Sequence, residues 1–411
     1  MKIILIIPPA PLLNEPTVYP PLGLLYIGAI LEKEGHRVKI CDLRENSNLN
    51  LIPKGDLYGV TATTTEAEDA KKIGKYLSKR DGNSVIGGAH ASNLPEDFLG
   101  YYDNIIVGDG EKTILDLIAN GNKGIIYGES IKNIDSIPFP ARHLMKDNRI
   151  VTKSVWGGYG FIYDEDPIAT TIITSRGCPY NCAFCANIPQ SVRFHSTEYV
   201  ANEIKFLIER YNCRHFDLLD DHFTMNKKRL RELTLVFESL HILFRCQARV
   251  DALNDEICEM LVRMGCKEVN LGIETADDSI LKLMNKGITV NQSKKAIEIL
   301  KEYNIGVKLF LMAGLPGETW ETIEKTKQFV IDTQPDKAPV TLFIPFPSCD
   351  IWKNPEKYGV RIITRDFSKY FFRYPSKSVI ETDFCSSEEL TEHFNHLRDF
   401  ILSNKWRIKN A

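Results

Sequence analysis

The 411-residue sequence predicts an α/β protein of two successive domains: a doubly wound parallel sheet, then an open array of strand–helix repeats, closed by a short α-rich tail. Three observations carry this. Strands and helices alternate over residues 1–130; a proline-punctuated stretch ending IPFPAR breaks the alternation near residue 135; and from about residue 168 the alternation restarts with six candidate strands. Six repeats are too few for a closed eight-fold barrel.

In the first half, Lys2–Ile7, Arg37–Asp42, Leu57–Thr63, Ser84–Gly87 and Asn104–Val107 read as strands. Leu22–Glu34 and the amphipathic Ala67–Lys79 read as helices, with a further helix from Glu111. Such a Rossmann-like sheet binds ligands beyond the carboxyl ends of its strands, at the switch point. Those ends carry Pro8-Pro9-Ala10, Thr61-Ala62-Thr63-Thr64, Gly87-Gly88-Ala89-His90 and Gly108-Asp109-Gly110-Glu111. Glycines let a bulky flat ligand approach the backbone, and threonine hydroxyls can bond its polar edges. No G-x-G-x-x-G joins a first strand to a helix, so a dinucleotide site is not expected.

In the second half the strands are Ala169–Ser175, His215–Leu219, Phe244–Ala248, Glu268–Gly272, Gly306–Ala313 and Val340–Ile344. Chemistry belongs at their carboxyl ends, which carry Asp220-Asp221-His222-Phe223, Gln247–Asp251, Gly272-Ile273-Glu274-Thr275 and Gly314–Thr319. The expected layout is a domain over 1–134, a linker over 135–167, a second domain over 168–346 and an extension over 347–411. The extension carries an aromatic stretch, Tyr370–Tyr374, and a helix from Ser387 to about Asn404. Core packing is the first expectation for those aromatics, with a cover over the array mouth as the other.

Lys+Arg (51) nearly balance Asp+Glu (54), for a net charge of −3, so no field favours nucleic acid. Apolar runs such as Lys2–Ile7 and Leu309–Met312 are too short to span a bilayer, and no targeting segment is read; a cytoplasmic, reducing compartment is expected. The informative feature is the run ITSRGCPYNCAFCANIPQ, which sets Cys178, Cys182 and Cys185 at C-x3-C-x2-C directly behind a strand. Three thiolates on one loop can hold three corners of a [4Fe–4S] cube, leaving one iron open. A structural zinc site wants four ligands in paired spacings, and disulfides do not persist in reducing compartments. The other cysteines, Cys349 among them, are scattered and mostly expected to pack as small hydrophobes.

With Phe184 before its last cysteine, this C-x3-C-x-F-C loop resembles the signature of the radical S-adenosylmethionine (SAM) enzymes. The resemblance implies that SAM chelates the open iron and is cleaved by one electron to a 5′-deoxyadenosyl radical. It also implies an open (βα)6 partial barrel, an electron donor such as flavodoxin or ferredoxin, and a site in which Gly272, Glu274 and Thr275 line SAM. Arg249 would pair with the methionyl carboxylate, or else sit in a structural salt bridge with Asp220 or Asp251. Gly314 would form a turn near the adenine. The segments PPLGLLYIGAILEKEGH (Pro20–His36), GGAHASNLPED and VGDGEKT resemble the cobalamin-binding domain that precedes the barrel in one large radical class. By position this points to Pro8, Thr61, Thr63, Gly87, Gly88, Gly108, Gly110 and Glu111 around cobalamin. His90 is read either as a cofactor contact or as a cap of its loop. The loop after the first strand has no Asp-x-His-x-x-Gly, so no protein histidine is expected beneath cobalt.

Together these imply methylation of an unactivated carbon of a small or lipid-like substrate. Alternatives are a non-methylating radical reaction with the same cofactors (cyclisation, oxidation or carbon–carbon coupling), a non-radical methyl transfer, and a cobalamin sensor or carrier. Asp221 could hold substrate or a proton, or be a solvated loop end. Cys349, in FIPFPSCDIW where relatives read P-G-T, could be a hydrogen donor, a radical partner or an iron ligand, or could simply fill a loop.

Overall fold

The computed structural model describes residues 1–10, 16–152, 168–186, 191–371 and 377–403. The chain divides into two compact units, Met1–Val155 and Trp156–Ala411.

The first unit is a six-stranded parallel sheet in the order β2-β1-β3-β4-β5-β6: β1 Lys2–Ile7, β2 Arg37–Asp42, β3 Leu57–Thr61, β4 Asn83–Gly87, β5 Asn104–Val107 and β6 Gly124–Tyr127. The order reverses at β1, and right-handed crossovers then put helices on both faces. The helices are α1 Leu22–Lys33, α2 Ala67–Leu77, α3 Ala89–Asn93 and α4 Gly110–Asn120. Because both faces are covered, β1 is a continuous apolar run, buried from Ile3 to Ile7. The edge strand β6 escapes the sequence pattern because its residues are only half-buried and Tyr127 is exposed.

Residues 135–150, the first part of the expected linker, pack as part of this unit together with Ile134. Ile134, Ile137, Ala141, Met145 and Ile150 are buried, and the Ala141 amide donates to the Leu25 carbonyl of α1 at 3.0 Å. Apolar residues on either side of Pro138 and Pro140 drive this: burying a large apolar side chain is worth about 1.5–3 kcal/mol. The rest of the expected linker, 153–167, lies outside the described residues.

The second unit is built on six parallel strands in strictly sequential order: β7 Ala169–Ile172, β10 His215–Leu218, β11 Leu243–Ala248, β12 Cys266–Glu274, β13 Gly306–Ala313 and β14 Val340–Leu342. A two-residue ribbon, β8 Ser175–Arg176 with β9 Arg193–Phe194, follows β7. Sequential order with right-handed crossovers puts every helix on one face and leaves the other face concave. The crossover helices are α5 Thr197–Tyr211, α6 Lys227–Leu240, α7 Asp255–Met264, α8 Asp278–Leu283, α9 Val290–Glu302 and α10 Trp320–Thr333. Burial alternates accordingly: in β13, Val307, Leu309 and Leu311 are buried, whereas Lys308, Phe310 and Met312 are partly open.

The extension holds α11 Asp350–Lys353, an antiparallel hairpin of β15 Val360–Ile362 with β16 Ile380–Thr382, and α12 Ser387–Leu402. Its helix starts at a Ser386/Glu389 capping box and buries Leu390, Phe394 and Leu397. Tyr370 packs in an aromatic group with Phe346, Trp352 and Phe367, which fits the core reading; residues 372–374 of the aromatic stretch lie outside the described residues. No described helix is long and apolar enough to cross a membrane.

Candidate functional site

The cysteine loop begins where β7 ends, and three buried anchors hold its base. Asp220, at the end of β10, accepts from the Thr174 amide and hydroxyl, both at 2.6 Å, and from the Ser175 hydroxyl. Asp220 is thus a structural carboxylate. The loop's outer edge is pinned by backbone contacts: the Ala183 amide donates to the Met284 carbonyl at 2.8 Å, and Asn285 Nδ2 donates to the Asn181 carbonyl at 2.7 Å. From the other side the Ile351 amide donates to the Ala183 carbonyl at 3.1 Å and Ser348 Oγ to the Ala186 carbonyl at 3.0 Å.

Within the loop the Cys185 amide donates to the Cys182 carbonyl at 3.0 Å. Burial pushes the Cys178 thiol up, the Tyr180 amide opposes this, and the nearby Asp221 and Cys182 push the same way as burial. Among the described residues no three His, Cys, Asp or Glu are spaced for a single metal ion. A cube requires no such convergence, because each thiolate takes its own iron.

The end of β12 is the most irregular piece of backbone beside this loop. The β12–β13 register shifts between Gly272 and Glu274, and Glu274 has φ +68°. The Thr275 amide donates to the Ile273 carbonyl at 2.9 Å, so Glu274 stands at the centre of a γ-turn. Its carboxylate is buried, with Oε1 accepting from Lys286 Nζ at 2.6 Å and Oε2 without a hydrogen-bond partner among the described residues. A Cβ on Gly272 would lie 2.6 Å from Glu274 Oε1 and 2.8 Å from Lys286 Nζ, so this ion pair fits only over glycine. Lys286 Nζ also stands 5.4 Å from the centroid of the Phe184 ring. Lys286 went unread in the sequence; a lysine in MNKGIT gives no sign of the carboxylate it meets twelve residues away.

The other expected SAM residues divide. Arg249 forms a two-pronged pair with Asp251, at 3.0 and 2.9 Å, and donates to the Lys286 carbonyl at 2.8 Å. Of the two readings for Arg249, the structure displays the salt bridge with Asp251. Its guanidinium also lies 3.6 Å from the centroid of the Tyr180 ring and clamps the cysteine loop. Thr275 is buried, its hydroxyl 3.5 Å from that of Thr326, and faces the helix layer. Gly314 donates its amide to Glu318 Oε1 at 2.7 Å, and His393 of α12 contacts the same oxygen at 3.0 Å, closing the turn after β13.

His222, quoted in the sequence without a role, is buried with its ring 5.9 Å from that of Tyr180. Burial, aided by Arg249 and Lys286 and opposed by Asp251, pushes its pKa down to about 4, so the imidazole is neutral near pH 7. Asp221 is exposed at the loop end. Cys349 is only 1% exposed and caps α11, with its Sγ accepting from the Trp352 amide at 3.3 Å. Burial pushes that thiol up to about 11. A protonated, sealed helix cap fits the packing reading of Cys349 and offers no open thiol for catalysis.

In the first unit the carboxyl ends of β1, β3, β4 and β5 meet at the switch point. Gly88 has φ +97°, and a Cβ there would lie 2.7 Å from Thr61 Oγ1 and 2.9 Å from the Ala62 amide. Only glycine brings these two strand ends together. Gly87, by contrast, has open space: the nearest atom to a Cβ there is 3.9 Å away. Thr63 is exposed and shares the Glu66 carboxylate through its amide and hydroxyl, at 2.8 and 2.9 Å. Gly108 is exposed, with its amide on Ser92 Oγ at 3.0 Å, whereas Gly110 packs against Ile27, and Pro8 and Glu111 are buried.

His90 is placed differently from a cofactor contact. It is 0% exposed, with Nδ1 3.1 Å from Thr64 Oγ1 and Nε2 3.0 Å from Asp97 Oδ2. With both nitrogens engaged inside the fold, His90 caps its loop. The exposed glycines and threonine at the crevice, with no histidine in residues 8–21, fit a bulky ligand held without an imidazole beneath it.

Comparison with known proteins agrees with both units. The Radical SAM superfamily model matches residues 172–330, and the B12 binding domain model matches residues 12–118. An uncharacterised methyltransferase of Pyrococcus horikoshii is 31% identical over 412 residues, spanning 90% of this chain and 86% of its own. An anaerobic magnesium-protoporphyrin IX monomethyl ester cyclase of Rubrivivax gelatinosus is 28% identical, spanning 93% of this chain and 74% of its own. Among solved structures, the radical SAM methyltransferase TsrM of Kitasatospora setae, determined with cobalamin and a [4Fe-4S] cluster, shares the fold at TM-score 0.68 and 17% identity, covering 89% of this chain and 77% of its own. The chain, with its B12-binding unit ahead of its radical SAM unit, therefore belongs to the cobalamin-binding radical SAM enzymes.

Proposed function

We propose that this protein is a cobalamin-dependent radical SAM methyltransferase acting on an unactivated carbon of a small molecule. The observation that carries the reading is a three-cysteine loop pinned beside a buried carboxylate, Glu274, whose Oε2 has no partner among the described residues. In this reading Cys178, Cys182 and Cys185 hold a [4Fe–4S] cluster, and Glu274, Lys286 and Phe184 receive SAM. Thr61, Thr63, Gly87, Gly88 and Gly108 receive cobalamin. When bound, these groups supply a 5′-deoxyadenosyl radical and a transferable methyl group.

The chain's own part is placement. Glu274 Oε2 accepts from an ammonium or hydroxyl of the ligand, a charge-assisted bond of roughly twice the ordinary strength. Lys286 fixes the carboxylate's orientation, Asp220 fixes the base of the loop, and Arg249 holds Tyr180 against it. The concave face of the sheet excludes bulk water from the reacting atoms. A small one-electron donor of the flavodoxin or ferredoxin kind supplies the electron, and the cytoplasm is the proposed compartment.

A second reading keeps the cofactors and ends without methylation; the similarity to the cyclase favours it. Anaerobically reconstituted enzyme, given reductant and methyl-labelled SAM, separates the outcomes. 5′-Deoxyadenosine with label in a product supports methylation, 5′-deoxyadenosine without label transfer supports the second reading, and its absence removes both.

A further inference from the structure

We propose that the concave face of the six-stranded sheet recognises its substrate by a neutral edge in which an N–H stands beside a C=O, as in a carboxamide, a lactam or a nucleobase, received by the side-chain amides of Asn270 and Gln247; this rests on the radical reading above and names its substrate class. The register sets Gln247 of β11 directly opposite Asn270 of β12. Both lie on the concave side, since side chains alternate along a strand and their neighbours in sequence, Cys246, Ala248, Val269 and Leu271, are buried and apolar.

The two amides stand side by side and unused. Asn270 is 5% exposed and its Oδ1 has no hydrogen-bond partner among the described residues. Gln247 is partly open, and among the described residues no hydrogen bond joins either amide to a neighbour. A buried acceptor left unpaired lowers stability, so a ligand that pairs it accounts for its place on this face.

The surrounding charges decide which group fits. Two residues deeper on the same face of β12, Glu268 accepts from Lys337 Nζ at 2.9 Å through Oε2, and its Oε1 has no partner among the described residues. An anion entering there would meet that carboxylate. On the other side of Asn270, Lys308 of β13 stands 5.1 Å from the centroid of the Phe310 ring. Burial, then Arg245, with Glu268 opposing, pushes the Lys308 pKa down to about 8, so a second ammonium beside it would be repelled. A neutral group meets neither obstacle. An oxyanion would also leave Asn270 Oδ1 unpaired, and an ammonium would leave the amide N–H groups unpaired. An N–H beside a C=O answers a primary amide at both ends, by the same two parallel bonds that Asn or Gln makes to an adenine edge.

A ligand so held lies deeper than the SAM residues. Gly272, over which the Glu274–Lys286 pair sits, is two residues on from Asn270, about 7 Å along the strand. Phe310, opposite Gly272, and Met312 beyond it are partly open. The substrate thus places its amide edge deep, an apolar body against Phe310 and Met312, and its reacting carbon nearer the cysteine loop.

The test is calorimetric titration of the reconstituted enzyme at saturating SAM, using octanamide, the lactam azonan-2-one, 1-methyluracil, N,N-dimethyloctanamide and octanoate. At least one of the first three is expected to bind about tenfold or more tightly than both N,N-dimethyloctanamide, which has no N–H, and octanoate, as leaving one buried acceptor unpaired implies. The tightest of the three tells carboxamide from lactam from nucleobase. Asn270→Leu should erase the preference while the melting temperature holds or rises, because an unpaired buried acceptor is removed. Gln247→Met should weaken the favoured probe about fivefold, and both variants should keep their SAM affinity within about twofold in equilibrium dialysis. Equal or absent binding of the amide probes, or an intact preference in Asn270→Leu, overturns the proposal. So does a melting temperature lowered by more than about 3 °C in Asn270→Leu, which would make the amide structural, or a tenfold loss of SAM, which would assign the amides to SAM. Heat of binding is read without turnover, so failure of the wild-type enzyme to form 5′-deoxyadenosine would remove the radical reading and leave the amide site to be judged on its own.

Discussion

Replacing Lys286 by methionine keeps the stem of the side chain and removes the ammonium. The side chains of Lys286 and Glu274 retain only 9% and 6% of their exposure and meet at 2.6 Å, so solvent screening does little to soften the loss. Breaking a buried pair by deleting one partner strands the other charge and costs about 3–5 kcal/mol. For a unit as large as Trp156–Ala411, 1 kcal/mol moves the melting temperature by about 2 °C, so Lys286→Met should lower it by roughly 6–10 °C. Glu274→Gln combined with Lys286→Met leaves two neutral groups and should recover a good part of that loss, giving a coupling energy of about 1–3 kcal/mol. Scanning calorimetry of the reconstituted enzyme reads the stability, and equilibrium dialysis with labelled SAM reads the ligand. Both variants should bind SAM at least about tenfold more weakly, because the carboxylate is lost or misdirected. A melting shift below about 3 °C, or a double variant no more stable than Lys286→Met, would show that the pair is not a mutually dependent buried unit.

Other outcomes follow from single contacts. Gly88→Ala forces a Cβ to within 2.7 Å of Thr61 Oγ1 at a positive φ, which costs about 1–3 kcal/mol; the purified protein should lose the visible absorbance of bound cobalamin while keeping its iron content. Cys349→Ser preserves the cap on α11, since serine caps helices well, and 5′-deoxyadenosine formation should stay within about twofold; a collapse would return Cys349 to the chemistry. His222 has a folded pKa of about 4 against an ordinary 6.5, so it is neutral in the fold and the unfolded chain binds the extra proton. Its contribution is present above about pH 6.5 and fades as the pH falls towards 4, a loss on the order of 3 kcal/mol. Urea unfolding of His222→Gln should therefore show a shallower acid limb than the parent between those pH values, and parallel limbs would refute it.

What the sequence showed depended on whether the signal was local. The strands β1 and β13 were legible because each is flanked by strands on both sides in a parallel sheet, where burial writes an apolar run or a strict alternation into consecutive residues. The edge strand β6 and the β15–β16 hairpin were not, since short, half-buried segments carry no such pattern. The three cysteines were legible for the same local reason: one loop holds them all. His90 stayed open between its two readings, because a strand-end position says nothing about whether Thr64 and Asp97 wait behind it. Lys286 stayed hidden because it meets Glu274 only after α8 has turned the chain back.

Backbone strain marks the same place from a different direction. Seven non-glycine residues have positive φ among the described residues, and five of them, Asn212, His241, Asn285, Asn304 and Gln334, simply follow the ends of helices, where a left-handed residue is the ordinary way to stop. The remaining two, Glu274 at φ +68° and Ser348 at φ +76°, end no helix. Glu274 turns its carboxylate onto Lys286, beside Phe184 of the cysteine loop, and Ser348 ties its hydroxyl to the Ala186 carbonyl of that loop. Conformations that cost about 1–3 kcal/mol each persist only where surrounding structure holds them and something is gained. That both flank one loop, on different strand ends, argues that the second unit is shaped around the cysteines. On that argument Ser348→Gly should relieve strain and still loosen the loop: the melting temperature holds or rises, while iron retention under mild chelation falls. Unchanged iron retention would mean that the Ser348 bond is incidental to the loop.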